Sequence, residues 1–340
     1  MRSVLLFAIA LSGATLVAEL AAPTPYLYVG VPSSEVASSA VGVRILVFDI
    51  DSGVKLVKQF PLRGSDKESV RGLIGGQAAS RLYVSTTRRL AALDVDTGRV
   101  LWEGEYGGHC CDRVAVSPDG HVLYVPAFGK PVWYVIDAES GRLLTTIAAI
   151  GWPRSAVVPA AGSRAYLANW AWNRLTVLDT ATRLVVAEIG PFGGDLCPFA
   201  VNRRGTIAFV NVDGLVGFEV ADLGTGLITD RVQVDDYSPE DIAKFECPSN
   251  GIALTPDEKE LWIADGVGNR LRVYDATNYP PNEKSSIALP RQPRWITFSR
   301  DGAYAFSSTG DVVEVSSKRI VAQLKDEHGL VVESERLVAR

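Results

Sequence analysis

The chain has 340 residues, 47% of them hydrophobic and 31 of them glycine, so it can bury a large core and make many tight turns. Thirty-four Lys and Arg stand against 39 Asp and Glu, a net charge of −5 that argues against a nucleic-acid binder. Low-complexity tracts are absent.

Met1-Arg2-Ser3 followed by the apolar run Val4–Val17 and the small residues near Ala18–Ala22 reads as a secretory signal over residues 1–22. The apolar run is shorter than the ~20 residues of a bilayer span, so no stable membrane anchor is expected after cleavage. The mature chain is then exported, to the periplasm or beyond, and meets oxidising conditions.

From residue 23 to 340 one unit recurs. Val114–Val116 and Val122–Val125 flank Ser117-Pro118-Asp119-Gly120, a hairpin in which Pro presets φ and Gly accepts a positive one. The same strand–turn–strand pattern returns at Phe199–Val210, Gly251–Ala264 and Trp295–Phe306. An acidic residue closes each third strand, at Asp49, Asp94, Asp137, Asp179, Glu219, Asp275 and Glu314, at intervals of about 40 residues. A turn such as Asp96-Thr97-Gly98 or Glu139-Ser140-Gly141 and a fourth β-run follow. Four short strands at this period predict an all-β, seven-bladed β-propeller of four-stranded antiparallel blades. Blade one lacks an inner strand. The orphan segment Glu335–Ala339 is expected to supply it and close the ring. Between blades five and six, Asp235–Phe245 breaks the pattern with a helix start, Ser238 as N-cap and Pro239 at the first helical position.

These residues resemble the YVTN/YncE-like seven-bladed β-propellers, within the quinoprotein amine dehydrogenase β-chain-like group. The likeness rests on the Ser-Pro-Asp-Gly and Thr-Pro-Asp-Glu hairpins, the Tyr-Val or Trp-Ile pairs after them and the Val-Ile-Asp third strands, and it covers Tyr26–Arg340. It implies the architecture. It carries no catalytic residue onto this chain, because members include binding proteins, non-catalytic subunits and a lactonase-like branch.

The loops that lead into the inner strands share one face of a propeller. Four of them carry Arg71, Arg113, Arg154 and Arg294, and one carries Trp152. Facing loops add Trp170, Trp172, Asn169, Asn211, Phe128 and Asp265. Arg, aromatic and amide groups in one mouth suit an unknown polar or anionic ligand, or a protein partner, although single Arg and Trp residues here also serve as pins between blades. Cys110, Cys111, Cys197 and Cys247 all lie in these loops. Cys197 and Cys247 open adjacent blades, where a disulfide is geometrically reasonable. Cys110-Cys111 is open to a cross-mouth disulfide, a vicinal redox pair, a metal site with His109, or free thiols. Ala92–Trp102 is similar to the docking motif of quinoprotein alcohol dehydrogenases, which would imply PQQ, but the full motif occurs once. No cofactor or metal is expected, and no catalytic triad or phosphate-cradling loop is visible. The reading is an exported binding or scaffold propeller without catalysis. The alternative is an oxidoreductase component or a lactonase-like enzyme using the same mouth.

Overall fold

The structure is a computed structural model that describes residues 25–31, 43–62, 68–76, 80–107, 113–127 and 129–340. The signal-like segment, His109, Cys110, Cys111, Asp112 and Phe128 lie outside these residues. Among the described residues, 28 strands form seven antiparallel sheets of four, with one helical turn at Pro239–Ile242. The expected seven-bladed propeller is observed. None of the described helices is long and apolar enough to cross a membrane.

The inner strands are Leu337–Ala339, Val70–Gly75, Ala115–Val116, Trp152–Val157, Leu196–Val201, Ser249–Leu254 and Ile296–Phe298, for blades one to seven. Each touches the next, and the seventh touches the first. Sequence explains the packing. Middle strands such as Leu82-Tyr83-Val84 are apolar on both faces, and all three of these side chains are buried. A sheet with two apolar faces needs a neighbour on each side. Seven hydrophobic clusters result, one at each seam between blades, including the seam between blades seven and one.

That last seam depends on the clasp. Leu337–Ala339 pairs antiparallel with Tyr26–Val31, in the register Leu27↔Ala339, Tyr28↔Val338 and Val29↔Leu337. The Gly30 amide donates to the Arg336 carbonyl at 2.8 Å, and Tyr26 and Arg340 exchange two further backbone bonds. Leu337 points into the core shared with blade seven, beside Phe306 and Val312. Val338 points the other way, into the core shared with blade two. Period-two alternation thus lets one short strand fill two seams.

Turn chemistry holds the outer rim. The Asp94 carboxylate accepts from the Thr97 hydroxyl at 2.6 Å and the Thr97 amide at 2.9 Å. These bonds hold its carboxyl below the usual range. Asp137 with Ser140 and Asp179 with Thr182 repeat the arrangement. In blade five the turn acid is Asp222, paired with Thr225, and not Glu219. The strand runs on to Asp222, which leaves Glu219 inside the sheet, buried and paired with Arg231 at 2.5 Å. Trp102, the aromatic of the docking-like motif, donates from Nε1 to the Ala138 carbonyl at 3.1 Å. It lies on Gly141, whose φ of 73° and missing Cβ make room for the indole. In this chain the motif joins blade two to blade three.

Leu337→Ala should cost about 2–5 kcal/mol, since it opens the closing seam. Deleting residues 334–340 should abolish the cooperative transition. Thermal melts followed by circular dichroism check both, and a deletion variant that melts like the parent would refute the role of the clasp.

Candidate functional site at the propeller mouth

Bulges aim the site. In blades two, four and six the inner strand carries one residue more than its partner, between Val70 and Gly72, Pro153 and Ser155, and Ser249 and Gly251. The extra residues are Arg71, Arg154 and Asn250. A bulge turns its extra side chain off the regular alternation. Arg113, Arg294 and Arg336 stand just ahead of the inner strands of blades three, seven and one. All six open into one cavity of about 450 Å³. Lys244, Phe245, Glu246, Cys247, Gln292 and Glu335 complete its lining. A second hollow of about 420 Å³ shares Gln292, Arg294, Glu335 and Arg336 with it and extends over Arg291 and Glu333.

The cavity holds six cationic side chains and two carboxylates, in a chain whose net charge is negative. Glu335 is the hub. Its carboxylate meets Arg336 at 2.8 Å, Arg113 at 3.2 Å and Arg294 at 3.8 Å. Burial pushes this carboxyl up, but Arg336, Arg113 and Arg294 more than reverse the effect and hold it below the ordinary glutamate value of 4.5. Arg113 also stacks over the Trp295 ring, 4.0 Å from its centroid. Arg154 pairs with Glu246 at 3.4 Å.

The wall contributed by residues 235–248 is tied down at both ends. At one end Arg272 reaches Asp236 at 2.8 Å and Asp265 at 2.7 Å, while Tyr237 donates to Asp265 at 2.7 Å. Ser238 caps the helical turn as the sequence suggested. At the other end Cys247 is bonded to Cys197, with Cα atoms 6.1 Å apart. Cys197 fits beside Pro198 in the irregularity of blade five's inner strand.

Of the residues singled out from sequence, Arg71, Arg113, Arg154, Arg294 and Cys247 line the cavity. Trp152 and Trp170 flank it and are about half exposed. Asn169 and Asn211 are buried and join blades instead. The Asn169 carbonyl accepts from Trp133 Nε1 at 2.8 Å, and the Asn211 amide donates to the Ser249 carbonyl. Asp265 is fully buried in the Arg272 cluster. Arg336, Asn250, Lys244 and Gln292 were missed. Arg336 was findable, because it stands ahead of the closing strand as Arg294 stands ahead of blade seven's. Among the described residues, no group of three or more His, Cys, Asp or Glu is placed to hold a metal ion.

No protein-family model matches the chain, and no curated protein matches it. Among solved structures it is similar to a chain of Kuenenia stuttgartiensis hydrazine synthase, with a TM-score of 0.61 and 19% identity. The match covers 79% of this chain and 85% of that one. At that identity the likeness shows a shared propeller fold.

Two outcomes are expected. A carboxyl whose folded-state pKa is depressed contributes stability that is complete above its unfolded value and is lost as pH falls through the folded one. Glu335→Gln should therefore lower the melting temperature near neutral pH, and the melting temperatures of variant and parent should converge as pH falls below 4.5. Replacing Cys197 and Cys247 by Ser should cost about 2–4 kcal/mol in denaturant melts, since the bridge closes a separation of 50 residues.

Proposed function

We propose that this chain is an exported, YVTN/YncE-like β-propeller that binds an anionic ligand at its arginine-lined mouth and does not transform it. The observation that carries the reading is the convergence of Arg71, Arg113, Arg154, Arg294 and Arg336, from five different blades, on one cavity. Guanidinium groups are planar, permanently charged and matched to carboxylate and phosphate forks. Three of them are already held by Glu335, so they are oriented before a ligand arrives, which lowers the entropic cost of binding. The closed ring adds rigidity, because each arginine stands on a different sheet of one packed body. The Cys197–Cys247 disulfide is consistent with export, as is the signal-like start of the sequence. The alternative of an oxidoreductase component or lactonase-like enzyme would draw on Cys110 and Cys111.

Titration calorimetry with citrate and with inorganic phosphate tests the reading. Citrate should bind, and its affinity should fall severalfold between about 0.05 and about 0.5 M salt, as screening of partly exposed charges requires. Arg71→Met/Arg154→Met should weaken it roughly tenfold, about 1.4 kcal/mol. Absence of binding by both anions, or an unchanged affinity in the double variant, would remove the proposal.

A further inference from the structure

Two tryptophans stand beside the arginine cavity. Trp152 and Trp170 are direct register partners on adjacent strands of blade four. They are 48% and 43% exposed, whereas Trp133 and Trp262, which do serve the core, are 1% and 0% exposed. The local backbone is shaped around them. Gly151 has φ 77°, and a Cβ there would run into the Trp170 carbonyl. Ala171, between Trp170 and Trp172, holds φ 58°, a left-handed conformation that a residue with a Cβ adopts only at a cost. The platform is continuous with the cavity: the Arg154 guanidinium lies 5.7 Å from the Trp170 centroid and also lines the cavity.

The face of an indole carries negative charge density and attracts the polarised C–H groups on the flat side of a pyranose ring. The cavity is also not a plain cationic cup. Glu246 accepts, and Gln292 and Asn250 both accept and donate, next to the guanidiniums. Mixed acceptors and donors read hydroxyl groups, while the carboxylates would repel a run of phosphates. Together, the platform and the mixed cavity fit a ligand with sugar rings, hydroxyls and isolated negative charges.

We infer that the mouth binds an acidic saccharide, a short chain of uronic-acid residues, with one ring on the Trp152–Trp170 platform and the carboxylate of a neighbouring residue among the arginines. This rests on the anion-binding reading above and specifies its ligand class. Calorimetry and tryptophan fluorescence with trigalacturonate, maltotriose and citrate test it. Trigalacturonate should shift the fluorescence and bind at least about tenfold tighter than either of the other two. In Trp152→Ala/Trp170→Ala the advantage should vanish, with trigalacturonate and citrate binding within about twofold of each other. The Phe double variant should keep most of it, which separates stacking from misfolding. If trigalacturonate binds no tighter than citrate, or the Ala variant binds it as the parent does, the saccharide inference falls and the anion site stands. If neither binds, both fall. Tighter binding of a single-stranded oligothymidylate, lost in the Ala variant, would overturn the saccharide in favour of a nucleic acid.

Discussion

A four-stranded sheet with apolar side chains on both faces is unstable in water alone. Seven of them in a row still leave an apolar face at each end. Pairing Leu337–Ala339 with Tyr26–Val31 removes both ends at once. It completes the fourth strand of blade one and buries Leu337 and Val338 in the two seams on either side of that blade. The backbone bonds of this strand are few. Their effect is large because they decide whether the seventh seam exists.

The mouth inherits its geometry from that closure. Glu335 and Arg336 lead into the closing strand, and their partners Arg113 and Arg294 belong to blades three and seven. An ion pair across a propeller mouth holds only if the ring fixes the distance between blades. Conversely, Glu335 draws blades one, three and seven toward one point. On the opposite wall the Cys197–Cys247 bridge and the Arg272 cluster fix residues 235–248, so the cavity is bounded by restrained segments.

Much of this was legible in the sequence because it is local and repeated. Ser-Pro-Asp-Gly turns, apolar alternation and an acidic turn residue about every 40 positions specify blades. Counting them exposes the missing strand in blade one and its donor near residue 337. Ser238-Pro239 announces its own helix start. The errors came where chemistry looks alike but geometry differs. Glu219 mimicked the turn acid Asp222 three residues early, because strand length is set by the partner strand and is not written locally. Asn169 and Asn211 have the residue type of a ligand contact, yet a neighbouring blade claims their amides. Arg336 gives no separate signal of a site, because it sits in a segment whose structural task is already evident from the sequence. Whether an arginine points into the channel depends on bulges such as the one at Arg154, and bulges leave only a faint trace in sequence.

The clasp also sets an order in time. Chains emerge from the ribosome amino end first. Until residues 335–339 are out, blade one has three strands, Arg113 and Arg294 lack their shared carboxylate, and the cavity lacks a wall. The cavity is therefore completed only in chains synthesised through this segment. A prematurely stopped chain lacks Glu335, Arg336 and Leu337, and with them both the hub of the mouth and the strand that closes the seam with blade seven.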